Sequence, residues 1–116
     1  MSSLALKCAA VLGASGVALG AYGSHGLKKL GAEPGQIESW GAASRYQLIH
    51  AAALLAFSAT GRTARYAPAL WTAGVTMFSG SIYCLVLNKE RFKVLGPVTP
   101  LGGLLMIAGW LALLAP

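Results

Sequence analysis

Charged residues fall in short clusters along the chain, at Lys7, from Lys28 to Glu38, at Arg45, from Arg62 to Arg65 and from Lys89 to Lys93. Between them lie four uncharged apolar segments, Cys8 to Leu27, Tyr46 to Gly61, Tyr66 to Leu87 and Leu95 to Ala115. A helix needs about 20 residues to cross a hydrocarbon core about 30 Å thick, so three segments are long enough as they stand and the second is short. Its helix is expected to begin earlier, between Pro34 and Trp40, with the Arg45 head reaching back to the interface. The pattern predicts an all-α, four-helix transmembrane up-down bundle in one domain over residues 1–116, with spans near 8–27, 40–61, 66–87 and 95–115. The stretch from Leu30 to Ser39 reads as a surface loop.

Composition agrees with this reading. Hydrophobic residues make up 56% and charged ones 10%, with a mean hydropathy of +0.64, outside the range of soluble domains. The formal net charge of +6 would suggest nucleic acid in a soluble domain. Here the basic residues flank apolar spans and read as topology signals and lipid-headgroup contacts. Lys7 follows Leu4 and Leu6 instead of preceding the apolar run, so the first segment reads as a span and not as a cleaved leader. Both termini and the loop near Gly61 share one side, called side A. The loops after the first and third spans lie on side B, which has more Lys and Arg and faces the cytoplasm or matrix by the positive-inside rule. Cys8 and Cys84 fall in opposite leaflets, too far apart for a disulfide within one chain.

Ala9, Gly13, Gly16, Gly20 and Gly23 recur at spacings of 4, 3, 4 and 3, a stripe of small residues on one face of the first helix. Gly102, Gly103 and Gly109 on the fourth helix answer it. Such stripes let helix backbones approach closely, and this one is expected to be open to partner helices. Tyr66 and Trp71 suit an interfacial aromatic belt on side A, and Trp40 one on side B.

Polar residues converge toward side B. Taking Lys28 and Arg45 as boundaries, His25 lies roughly 4 to 5 Å inside and His50 about 7 to 8 Å inside, nearly one level. Tyr46 and Gln47 share a face with His50, while Ser81, Tyr83 and Thr99 are within two turns of the same boundary. The candidate cluster is therefore His25, Tyr46, Gln47, His50, Ser81, Tyr83 and Thr99. Polar groups in hydrocarbon mark functional sites or serve as hydrogen-bond glue between helices, and glue is preferred because no intramembrane carboxylate accompanies them. A haem held by His25 and His50 is the alternative for a cofactor, with none expected and no metal site.

Four stretches carry a resemblance, "GAYGSHGL" (20–27), "YQLIHAAAL" (46–54), "FSGSIYCLVL" (78–87) and "TPLGGLLMIAGW" (99–110). In that order they resemble the YgdD-like family of small multi-pass membrane proteins, also called the transmembrane protein 256 or domain of unknown function 423 family. The resemblance implies four membrane helices and no established activity. It also implies a mitochondrial inner-membrane location in a eukaryote and a plasma-membrane one in a bacterium. The expected role is non-catalytic: an accessory or structural subunit, or assembly factor, of a larger membrane complex. Expected partners are lipids with other membrane subunits or further copies of the chain, and no nucleic acid. The alternative is an oligomeric transporter, channel, or lipid- or quinone-binding protein acting through the polar cluster.

Overall fold

The computed structural model describes residues 2–62 and 66–115. They form four α-helices, α1 (Ser2–Lys29), α2 (Pro34–Thr60), α3 (Tyr66–Leu87) and α4 (Val98–Ala112), with a 3₁₀ turn at Lys93–Leu95 leading into α4. Arg65, the last of the charge cluster between the second and third spans, lies outside the described residues.

The helix ends follow from local chemistry. Gly31 takes a positive φ of 81° after α1. This places the Ala32 N–H on the Leu27 carbonyl and the Gly31 N–H on the Lys28 carbonyl, the paired bonds that close a helix through a left-handed glycine. Lys28 and Lys29 sit in the last turn, where positive charge complements the helix dipole. Only four residues then separate α1 from α2, whose first residue is Pro34 and whose entry is held by the Glu33 N–H donating to Gln36 Oε1 at 2.8 Å. The expected surface loop from Leu30 to Ser39 is thus shorter, because its second half is the first turns of α2. Gly61, at φ 71°, ends α2 in the same left-handed way as Gly31 ends α1.

The packing order follows the chain, α1 on α2, α2 on α3 and α3 on α4, in a slab 47 × 26 × 18 Å. Contacts fix an antiparallel register throughout. Gly13 faces Ala51, Gly16 faces Gln47 and Leu48, Gly20 faces Ser44, and Gly23 faces Trp40. The α1 stripe is therefore covered by α2 of the same chain, and is not open to a partner helix as the sequence suggested. The glycines of α4 likewise do not answer α1. Gly102 meets the backbone of Gly74 and Phe78 on α3, Gly109 lies under the Trp71 indole, and Gly103 makes ordinary contact with Phe78. A glycine is required where a bulky ring on the facing helix needs a recess.

That requirement relocates two tryptophans. Trp40 fills the space over Gly23 and is 1% exposed, and Trp71 fills that over Gly109 and is 2% exposed. Neither joins an interfacial belt, whereas Tyr66 at 65% exposure suits one. Toward side A, Leu54, Phe57, Ala67 and Trp71 form one buried cluster with Ala9; toward side B, Leu27, Trp40, Ala43 and Tyr83 form another.

Three helical stretches are long and apolar enough to cross a membrane, Leu4–Lys29, Tyr66–Leu87 and Lys93–Ala112. The hydropathy of α2 does not single it out. However, α1 and α3 run in the same direction with α2 antiparallel between them, so the chain can cross twice in one sense only if α2 returns through the bilayer.

Candidate functional site

The register of α1 against α2 sets the depth of every polar group. Because Gly20 faces Ser44 and Gly16 faces Gln47, Arg45 is level with the middle of α1, not with its side-B end. The nine residues from that level to Lys28 correspond to about 13 Å, nearly half of a 30 Å core. Arg45 is therefore not the boundary that the sequence suggested. By the same register His50 lies opposite the Gly13 to Ser15 turn, about 16 Å along the bundle from His25. The two histidines are not at one level, and the polar residues do not share one leaflet.

Instead they form separate joints, each tying particular helices together. Gln47 is 4% exposed. Its Nε2 donates to the Leu12 carbonyl at 2.9 Å and to Ser15 Oγ at 2.7 Å on α1, while its Oε1 accepts from Tyr83 on α3 at 2.7 Å. The Ser15 hydroxyl in turn donates to the Val11 carbonyl at 2.7 Å. One amide thus joins three helices with its donor and acceptor ends both used.

His50, 3% exposed, makes the second joint. Trp110 Nε1 on α4 donates to His50 Nε2 at 3.0 Å. An indole N–H can only donate, so Nε2 holds the lone pair; Nδ1 then carries the proton and donates to the Tyr46 carbonyl at 2.7 Å. The Trp71 and Trp110 rings stand edge-on to the imidazole, with centroids 6.3 and 5.8 Å away. Trp71 Nε1 is buried with no hydrogen-bond partner among the described residues. A haem between His25 and His50 does not fit this arrangement. Both nitrogens of His50 are engaged, His25 is exposed at the far end of α1, and a planar macrocycle cannot bridge the offset.

Ser81 and Thr99 share a short hydrogen bond between α3 and α4, and Ser81 also donates to the Phe78 carbonyl at 3.0 Å. Tyr46 is 45% exposed and lies edge-on to Phe78, so it contributes its carbonyl to the His50 joint and not its phenol. Of the seven candidate residues, six therefore sit at helix joints and His25 stands apart.

Sequence reasoning passed over three members of these joints. Trp40 Nε1 donates to the Leu19 carbonyl at 2.6 Å, Ser79 Oγ to the Ala43 carbonyl at 2.7 Å, and Trp110 to His50. The available signal was steric: a tryptophan facing a glycine in an antiparallel pair is a buried ring whose N–H must find an acceptor.

Arg45 is exposed on the outside of the bundle near mid-depth, a position at which a charge costs about 2.5 to 3.5 kcal/mol on insertion scales. Its guanidinium lies beside Gly41, one turn nearer side B, with Nη1 3.3 Å from the place a Cβ would occupy there. A groove between α1 and α3 is lined by Lys7, Cys8, Val11, Leu12, Thr72 and Thr76, toward side A and away from the polar joints. Among the described residues no three His, Cys, Asp or Glu side chains gather as metal ligands.

These features accord with what the chain is similar to. The family model described as protein of unknown function (DUF423) matches residues 19–103. A protein of Schizosaccharomyces pombe named UPF0382 membrane protein is 42% identical over 112 residues, covering 91% of this chain and 94% of its own. Its namesake in Haemophilus influenzae is 34% identical over 118 residues, covering 97% and 92%. In Bacillus subtilis the UPF0382 membrane protein YwdK is 36% identical over 102 residues, covering 82% and 80%. No solved structure matches the chain. Register, apolar helices and these matches together make the chain a small helical membrane protein, and it belongs to the DUF423 family.

Proposed function

We propose that this protein is a non-catalytic component of the membrane, an accessory or structural subunit or assembly factor that works through its outer faces. The observation that carries the reading is the state of the bundle interior. Gln47 uses its donor on α1 and its acceptor on α3, where Tyr83 donates to it, and both ring nitrogens of His50 are engaged, one of them by Trp110 of α4. A buried polar network satisfied in this way specifies helix packing and has little capacity left for a ligand. The one arginine at mid-depth, by contrast, faces outward.

The glycine stripe of α1 no longer supports this reading, since α2 covers it. The contact surface lies on the exposed outer faces of the helices, where large apolar side chains remain uncovered. The alternative, an oligomeric transporter, channel or lipid- or quinone-binding protein acting through the polar cluster, predicts that His50→Ala or Gln47→Ala changes flux or ligand binding while the bundle stays intact. It has less support, because both residues are engaged in holding helices together. For location, the family resemblance favours the mitochondrial inner membrane in a eukaryotic host and the plasma membrane in a bacterial one, which fractionation with marker proteins tests.

The deciding experiment is extraction from native membranes in a mild detergent, native-gel separation and mass spectrometry of the band holding this chain. Co-migration with a larger assembly at fixed stoichiometry is the expected result. Migration free of other proteins would overturn the subunit reading.

A further inference from the structure

The outer face of α2 is an uncommon surface for lipid to cover. Glu38, Arg45, Ala52 and Ala59 recur every seven residues along it, all exposed, and Gly41 and Ala42 lie between the two charges. Arg45 is nearly half-way through the membrane by register, and ionisable residues at that depth face a protein interior or a partner charge. This one faces away from its own bundle. Only three carboxylates occur in the chain, Glu33, Glu38 and Glu90. Glu33 precedes α2 and Glu90 lies in the turn after α3, so Glu38 alone shares a helix face with Arg45.

We infer that this face is covered by a second copy of the chain, in a two-fold dimer in which Arg45 of each copy pairs with Glu38 of the other. Copies inserted with one orientation can be related only by an axis along the membrane normal, which brings each residue to the same depth in both. The Arg45 guanidinium already reaches the level of Gly41, and Glu38 stands less than one turn above. Gly41 and Ala42 leave the backbones room to approach at that level, and Ala52 and Ala59 do so below it. Two guanidinium and two carboxylate groups then alternate around the axis with no net charge. An anionic lipid headgroup fits less well, because Glu38 stands on the same face between Arg45 and the headgroup layer and repels it. The inference adds to the subunit reading by saying what covers α2, and the two can fail separately.

The test uses full-length chains bearing different affinity tags. Glu38→Arg in one chain and Arg45→Glu in the other leave each copy with two like charges on the face, whereas the mixed pair restores both ion pairs. Co-expressed in membranes and extracted mildly, each variant alone should lose self-association by about tenfold or more, and the mixture should recover it. Both positions are exposed, so neither change disturbs the bundle interior. Independently, Ala52→Cys in a chain with Cys8→Ser and Cys84→Ser should form a cross-linked dimer, and Leu104→Cys on the outer face of α4 should not. Undiminished self-association of both charge variants, failure of the mixture to recover, or absence of the Ala52→Cys dimer would overturn the inference. A wild-type chain that migrates with another protein but never with itself would overturn it while leaving the subunit reading in place.

Discussion

Replacing Gln47 by leucine removes the amide that joins α1, α2 and α3 while keeping a side chain of similar reach. Three hydrogen bonds are lost, to the Leu12 carbonyl, Ser15 Oγ and the Tyr83 hydroxyl. At about 0.6 kcal/mol per side-chain bond inside a membrane this comes to about 2 kcal/mol. Stranding the Tyr83 hydroxyl, which is buried beside Trp40 with ring centroids 4.6 Å apart, adds about 1 kcal/mol. Tyr83→Phe alone loses one bond and leaves Gln47 Oε1 without its donor, about 1 kcal/mol. In the double variant the shared bond is lost once and neither Tyr83 nor Gln47 is stranded, so its loss should be about 2 kcal/mol and fall short of the sum by about 2 kcal/mol, the coupling of the pair. Unfolding followed by circular dichroism in mixed detergent, with denaturing detergent as titrant, measures all four corners of the cycle. Additive losses to within about 0.3 kcal/mol, or an unaltered Gln47→Leu protein, would show that the junction does not hold the bundle.

Further outcomes follow from the same geometry. Trp110→Phe deprives His50 Nε2 of its donor and should destabilise by about 1 kcal/mol, whereas Trp71→Phe empties part of the recess over Gly109 and should cost more in the same unfolding assay, although its N–H has no partner among the described residues. Gly102→Ala drives a Cβ into the Gly74 and Phe78 backbone and should cost about 1 to 3 kcal/mol; Gly80→Ala meets nothing within 4 Å and should stabilise by up to about 1 kcal/mol. Cysteines at positions 25 and 50 in a Cys-free chain should not cross-link with a short reagent, since about 16 Å of helix separates their levels; an efficient cross-link would contradict the α1–α2 register.

Much of the fold is legible along the chain because a bilayer imposes a length and a composition on whatever crosses it. Clusters of charge mark the C-terminal end of α1, both ends of α3 and the approach to α4, and Pro34 marks the start of α2. The small-residue stripe was also legible as a packing surface, since 4-3 spacing places glycines on one face whatever they pack against. Which helix they pack against was not, because identical stripes suit a neighbour in the same chain or in another. Register belongs to the tertiary structure for a similar reason. A charged residue in sequence reads as a boundary, but Arg45 can hold its α-carbon deep and its head one turn higher. Only the pairing of Gly20 with Ser44 and Gly23 with Trp40 shows which of these happened. That single offset separated His25 from His50 and dissolved a one-leaflet cluster into joints. What the sequence by itself determined is therefore the set of spans and their polar residues, dictated by transfer out of water. What only the tertiary structure decided is depth and partner, because these come from the steric match of rings to glycines on facing helices.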